Sequence, residues 1–332
     1  MANSTLIIAT RGSALALAQA NAVLRQCRGA FPSRAFEIRV YKTTGDKLQT
    51  AALAQSELPK GLFTKELESA LLSGEADLAV HSLKDLPTEL PEGLLLGAVG
   101  QREDPRDVLV TRLEESGVGR GYGANASVEV LAKGCVVATS STRRAAQMRE
   151  LRPDISVVPI RGNVGTRLRK LAENPDIDAT LLAAAGIRRL GFVVDVEGRL
   201  SGGPTDSEPV APGRLRAVFL SAQQVIPCVG QAAVGIETRT NDVALQEVCA
   251  ALNHRETEIC VRAERSFLRA MGGGCQAAVA AHAVVEAGIL RLQAVSYLGD
   301  RPHRANGEAG LENPERLGAD LAAQLLARPR LT

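Results

Sequence analysis

Lys84 and Asp85 stand side by side where the apolar run of Ala76–Pro87, ADLAVHSLKDLP, gives way to polar residues before Pro87 stops the element. In open α/β sheets, ligands bind outside the carboxyl ends of the strands, so an ammonium and a carboxylate placed there are a candidate catalytic pair. As a rule such a pair is only a solvated loop, and the reading depends on what the rest of the chain brings to it. His81 in the same stretch reads as a structural histidine and not as a proton carrier.

Arginine placement is the second signal. Arg11, the pair Arg143 and Arg144, and the pair Arg161 and Arg167 all follow apolar strands, at corresponding points of two similar stretches of sequence. If those stretches fold as facing lobes, all five turn into one cleft. A guanidinium binds carboxylate or phosphate through a planar fork, and Ser13, Ser140 and Ser141 at helix starts add hydroxyl and backbone donors for the same anions. The remaining arginines are expected on solvated faces. RGNVGTR lacks the spacing of a phosphate loop and no GxGxxG opens a helix, so several carboxylates on one small molecule explain the arginines as well as a nucleotide would. Cys275 follows Gly272, Gly273 and Gly274, where an unencumbered backbone lets a thiol project from a loop; by context alone it is a structural or a reactive thiol.

The elements that must position these groups can be read in order. TLIIAT is a strand, LALAQANAVLRQCRGAF a helix, FEIRVYKTTG a second strand, and KGLFTKELESALLSGEADLAVHS a helix, a turn and the strand ending near Asp85. CVVATSSTRRAAQMRELRPD, ISVVPIRGNVG and TRLRKLAENPDIDATLLAAAG repeat that order from Cys135 onward. Two α/β lobes follow, joined by QREDPRDVLV with a short strand at Val108–Val110. VGQAAVGIETR is expected to return to the first lobe. A helix over RETEICVRAERSFLRAM, two alternating strands and a last helix form a small α+β unit. Gly198 to Gly213, rich in Gly, Pro and acids, reads as a surface insertion with little claim to order and no chemistry. The expected division is 1–104 with 232–250, 105–231, and 251–332.

Composition sets outer limits. Aromatic residues are 3% of the 332 residues, with no Trp, and the formal net charge is +2. Neither a base-stacking surface nor a polyanion-binding field is implied, so no nucleic-acid partner is expected. No apolar run approaches bilayer length and the N-terminus lacks a basic leader, so a soluble, cytoplasmic chain with no membrane partner is expected. A monomer is expected as well, although no sequence feature sets the oligomeric state. The other five cysteines, Cys27, Cys135, Cys228, Cys249 and Cys260, have no CxxC spacing and read as structural; with four scattered histidines, no metal site is expected.

Taken together, ATRGSALALAQ, KGLFTKELE, ADLAVHSLKDLP, REDPRD, TSSTRR, RGNVGTRL, AAGIRRLG, VGQAAVGIE and GGGCQ resemble the porphobilinogen deaminase (hydroxymethylbilane synthase) family along nearly the whole chain, in order. The resemblance implies a three-domain transferase of tetrapyrrole biosynthesis whose first two domains are similar to periplasmic binding-protein lobes. It implies that four porphobilinogen molecules are joined head to tail with loss of ammonia, on a dipyrromethane cofactor held through Cys275. Asp85 matches the acid at the reacting centre, and Arg11, Arg143, Arg144, Arg161 and Arg167 match the arginines that hold acetate and propionate groups. Lys60 and Phe63 match a mobile segment over the site. Ser13, Ser82, Lys84, Thr139 and Ser141 match carboxylate contacts, and Gln19 and Asp46 match other cofactor or substrate contacts. Hand-over of product to uroporphyrinogen III synthase is implied as well.

The chain departs from the family pattern at Ala232, where Gly is usual, at Ala278 and Ala280 near the cofactor loop, and in QSELP, which lacks glycines before Lys60. Two other functions fit parts of the pattern. A two-lobed receptor for an acidic ligand needs no exposed Cys275, and an enzyme whose Cys275 turns over each cycle carries no permanent adduct.

Overall fold

The computed structural model describes residues 5–48, 61–124, 126–204, 212–274 and 277–327. Lys60 and Cys275 therefore lie outside the described residues. The chain opens with β1 (Leu6–Arg11), α1 (Ala14–Ala30), β2 (Phe36–Tyr41), α2 (Thr44–Leu48), α3 (Lys65–Leu72), β3 (Leu78–Ser82) and β4 (Leu94–Val99). It continues with β5 (Asp107–Arg112), β6 (Val136–Ala138), α4 (Thr142–Leu151), β7 (Ser156–Val158), α5 (Val164–Glu173), β8 (Ala179–Ala183) and α6 (Ala184–Arg189). Next come β9 (Phe192–Val194), β10 (Leu200–Gly202), β11 (Leu215–Phe219), β12 (Val234–Arg239) and α7 (Val243–Leu252). The last elements are α8 (Arg255–Ala270), β13 (Val279–Glu286), β14 (Ile289–Ser296), β15 (His303–Ala309) and α9 (Pro314–Leu326).

The two large sheets have one plan. The first runs β2-β1-β3-β12-β4 and the second β7-β6-β8-β5-β11. In each, three parallel strands are followed by an antiparallel strand borrowed across the lobe boundary: β12 pairs with β3 after the chain has left the second lobe, and β5 pairs with β8 on entry to it. Two segments, 100–106 and 220–233, therefore join the lobes. The architecture is α/β, with two lobes each built on a five-stranded mixed sheet and an α+β C-terminal unit.

Local sequence explains the positioning elements. Helix α1 buries Ala16, Gln19, Ala20, Val23, Leu24 and Cys27 at helical spacing, and Ser13 caps it by accepting the Ala16 N–H at 3.3 Å. Strand β3, LAVHS, is central and covered on both faces, which is why it reads as an almost unbroken apolar run. In the C-terminal unit, α8 and α9 cover one face of the β13-β14-β15 sheet, packing Phe267, Leu292, Leu317 and Leu321 into one core. Gly318 lets the two helices meet, since a Cβ there would lie 2.1 Å from the Ala263 carbonyl oxygen.

The expectation of an unstructured insertion from Gly198 is corrected in its first part. Strand β10 pairs antiparallel with β9, and the turn between them is closed by Asp195, whose Oδ1 accepts the N–H groups of Glu197 (2.9 Å) and Arg199 (2.8 Å). Leu200 is wholly buried in the second-lobe core, and that anchor outweighs the polar composition around it. Residues 205–211 of the same stretch lie outside the described residues. Ala232, one of the expected departures from the family pattern, is held at φ 71°, a left-handed conformation that costs a side-chain-bearing L residue free energy.

Candidate functional site

Asp85 sits in a 3₁₀ turn, Leu83–Asp85, immediately after β3. The turn faces a cavity of about 450 Å³ between the lobes, to which the first lobe contributes Arg11, Ser13, Lys84 and Asp85 and the second Arg144 and Arg167. A smaller pocket on the first-lobe side shares Arg11, Ser82 and Asp85 with this cavity and adds Gln19 and His81 to the surroundings of Asp85. Helices α1 and α5 begin at this cavity, with Ser13 and Asn163 as caps; Asn163 Oδ1 accepts the Thr166 N–H at 2.8 Å. Helix N-termini and cations on both walls make the space suited to a multiply charged anion.

The cations are held at some electrostatic cost. Burial, with the like charge of Arg144, pushes Arg167 down to about 10 against the pull of Asp85. Burial lowers Lys84 too, with Asp85 and Asp107 opposing it and Arg144 adding to it. Arg167 donates through Nε to the Gly162 carbonyl at 2.8 Å, which aims the rest of its fork into the cavity it lines. An incoming carboxylate relieves this crowding of positive charge.

The five arginines do not share one environment. Arg11 lies in the cavity wall, with its guanidinium 4.2 Å from the centre of the Phe63 ring and its fork on Asp46. Burial would raise the Asp46 carboxyl, but hydrogen bonds from Arg11 and Thr43 hold it below the usual range. Arg143 turns away from the cavity. It donates to Asp107 Oδ2 and to the Ile226 carbonyl, both at 2.7 Å. Arg144 reaches both ways, lining the cavity while bonding Asp107 Oδ1 at 2.7 Å and the Leu181 carbonyl at 3.0 Å. Arg161 is half-buried and is not among the cavity's lining residues.

The smaller groups are placed as follows. Ser82 Oγ donates to Gln19 Oε1 at 3.0 Å, and the buried Gln19 Nε2 has no partner among the described residues. Ser141 caps α4 by accepting the Arg144 N–H at 3.4 Å, and Thr139 Oγ1 accepts the Ser141 N–H at 3.2 Å. His81 is buried and pairs with Glu237 at 3.0 Å, in keeping with a structural role. Four of the expected structural cysteines, Cys27, Cys135, Cys249 and Cys260, are buried, and Cys228 is half-buried. Burial raises Cys27 and Cys249 to about 11 and Cys260 to about 12, which keeps these thiols protonated and unreactive.

Sequence reasoning passed over Asp107 and Gln231. Asp107, fully buried, accepts from Arg143, Arg144 and Gln231 Nε2 (2.8 Å), so one carboxylate fixes the start of α4 against both connecting segments. Burial alone would raise it, yet the two guanidiniums hold it well below the ordinary carboxylate range. The signal lay in REDPRD, an acid directly before a buried strand. Asn163, Arg169 and Pro204 also line the cavity and were not singled out.

A dipyrromethane carries acid side chains and pyrrole N–H groups. The residues present fit both: Arg11, Lys84, Arg144 and Arg167 for the acids, Asp85 for the N–H groups, and the orphaned Gln19 Nε2 as a buried donor awaiting an acceptor. Among the described residues no group of three or more His, Cys, Asp or Glu is placed to hold a metal ion, and no helix is long and apolar enough to cross a membrane.

Fold and site together define a two-lobed α/β protein whose cavity between the lobes sets several cations beside one carboxylate. Residues 6–247 match the family model described as porphobilinogen deaminase, dipyromethane cofactor binding domain, and residues 258–327 match the porphobilinogen deaminase C-terminal domain. A porphobilinogen deaminase of Desulforudis audaxviator is 44% identical over 97% of this chain and 94% of its own length. One from Syntrophobacter fumaroxidans is 40% identical over 98% of this chain and 96% of its own. Among solved structures, the Bordetella pertussis BvgS VFT2 domain aligns with a TM-score of 0.41 at 16% identity, over 75% of this chain and 86% of that one. The chain belongs to the porphobilinogen deaminase family. Its reaction is the head-to-tail polymerisation of porphobilinogen to hydroxymethylbilane with loss of ammonia, and its cofactor is dipyrromethane.

Proposed function

We propose that Asp85 is the acid–base and electrostatic centre of this polymerisation, and that the cations around the cavity hold the acetate and propionate groups of substrate and product. The carrying observation is Asp85 at the end of β3, in one cavity with Arg11, Lys84, Arg144 and Arg167. Loss of ammonia from an aminomethylpyrrole leaves a cationic, azafulvene-like electrophile, and a fixed carboxylate stabilises that cation. Asp85 protonates the leaving amine and later takes the proton released when the new ring regains aromaticity. The dipyrromethane, when bound, supplies the end on which the chain of pyrroles is extended.

Each added ring brings two carboxylates, so the demand on the cavity wall is for bidentate cations. Arg167 and Arg144 meet it directly, and Arg11 does so on leaving Asp46. Arg143 acts behind them, by holding α4. Arg161, Thr139, Ser141, Ser13, Ser82, Gln19 and Asp46 complete the contacts, with Phe63 and Lys60 closing over them. Cys275 carries the cofactor through a thioether. The lobes are 1–104 with 232–250 and 105–231, and 251–332 carries the cofactor loop. We take the chain to act as a cytoplasmic monomer that passes its product to uroporphyrinogen III synthase.

Asp85→Asn should fold normally and lose nearly all porphobilinogen consumption; near-normal turnover would remove Asp85 from the chemistry. Intact mass of the purified protein should exceed the sequence mass by two pyrrole units, an excess abolished by Cys275→Ala. An unmodified and fully active chain would overturn the attachment.

A further inference from the structure

The turn bearing Asp85 is gripped from behind by a residue of the C-terminal unit. Arg265, on α8, donates through Nη1 to the Leu86 carbonyl at 3.1 Å and through Nη2 to the Pro87 carbonyl at 2.6 Å. These are the two residues that follow Asp85. Within the turn, the Leu86 N–H already serves the Leu83 carbonyl at 3.1 Å, and Pro87 has no N–H to give. The two carbonyls are thus the handle by which another element takes hold of the chain here, and a guanidinium fork spans both at once.

The grip extends to the connecting segments. Glu264, the residue before Arg265, accepts from Arg102 Nη1 (2.6 Å) and Nη2 (3.1 Å) in one segment and from the Gly230 N–H (2.7 Å) in the other. Gly230, at φ 69°, lies so close under the turn that a Cβ there would meet the Lys84 backbone nitrogen at 3.3 Å. In sequence α8 runs on into Gly272–Gly274 and Cys275. The helix that precedes the cofactor loop therefore also fixes the backbone of the acid.

We propose that Arg265 is a positioning residue for Asp85, coupling the placement of the carboxylate to the unit that carries the cofactor. The proposal rests on Asp85 being the reacting carboxylate. With the grip in place, Asp85 and the α8 unit move as one body while the second lobe adjusts to the lengthening chain. Bonds from a part-exposed guanidinium to neutral carbonyls add little to the stability of a core this large. A displacement of the reacting group by about 1 Å, in contrast, costs on the order of 100-fold in rate.

The test uses holoenzyme, with cofactor content read from intact mass. Arg265→Gln should lower kcat by about 10- to 100-fold, with KM and the unfolding midpoint nearly unchanged, and Arg265→Lys, which keeps one of the two bonds, should fall between. Asp85→Glu displaces the carboxylate already, so adding Arg265→Gln to it should cost less than about threefold more. Full kcat in Arg265→Gln overturns the proposal, as does a loss that multiplies undiminished onto Asp85→Glu. If Arg265→Gln does not fold, the same comparison with Arg265→Lys decides. Failure of the underlying assignment looks different: Asp85→Asn would itself keep turnover, whereas an inactive Asp85→Asn beside a normal Arg265→Gln rejects only the coupling.

Discussion

Ala232 shows how a single residue records the stress of its place in a fold. Its φ of 71° is unfavourable for an L residue by about 1–2 kcal/mol, and its carbonyl is committed to Arg189 Nη2 at 2.6 Å and the Glu103 N–H at 3.2 Å, so it cannot relax. Ala232→Gly removes the steric cost and adds about 0.5–1 kcal/mol of unfolded-chain entropy. A net stabilisation of about 0.5–1 kcal/mol is expected in urea titration, and a destabilised variant would show that the segment depends on the alanine side chain. The sequence marked this position as a departure from the family. Only the backbone angle explains what the departure does.

At the scale of elements, the start of α4 is tied to both connecting segments through one buried carboxylate. Asp107 meets Arg143 and Arg144 from α4 and Gln231 from the second segment, and the Gln147 side chain reinforces the tie by exchanging hydrogen bonds with the Ile226 backbone at 2.7 and 3.0 Å. Asp107→Asn keeps the shape and removes the charge that compensates two buried guanidiniums. Breaking such a buried pair costs about 3–5 kcal/mol, and the unfolding midpoint should fall accordingly. A loss under about 1 kcal/mol would mean that water reaches the arginines. The TSSTRR stretch announced two arginines at a helix start, but Arg143 and Arg144, neighbours on one helix turn, share Asp107 and then part, Arg143 to the Ile226 carbonyl and Arg144 to the Leu181 carbonyl and the cavity. Which of them meets the cavity depends on where Asp107 lies, and that is set by a strand of different sequence position.

For the whole molecule, the joint between lobes and C-terminal unit is the place where pH should be felt. His282, on β13, is buried; burial pushes its pKa down to about 4, with Arg102 adding to the effect and Glu264 opposing it. The folded protein keeps this imidazole neutral while the unfolded chain protonates it near the ordinary 6.5. Between those values the unfolded state binds more protons, so the contribution is fully present above about pH 6.5 and is lost as pH falls toward 4. The loss amounts to about 3 kcal/mol. Urea midpoints from pH 7 to pH 4.5 should decline in the parent protein and decline less in His282→Gln; equal slopes would exclude His282 as the source. Asp107, held low by its arginines, contributes its own loss only at far more acidic pH.

The amino-acid sequence by itself determined the elements and their class. The alternation of apolar strands with helices, repeated from Cys135, dictates two similar α/β lobes, because a strand covered by helices on both faces must be apolar along its length. It also determined the chemistry on offer, since Asp85 after a buried strand and arginines after others can be read from residue type and spacing. Tertiary structure decided direction and pairing. The borrowed strands β5 and β12, the turning of Arg143 toward Asp107, the hold of Arg265 on Leu86 and Pro87, and the anchoring of β10 by Leu200 all join residues distant in the chain. Local propensity carries no information about such partners, because it is burial and charge compensation in the assembled molecule that select them.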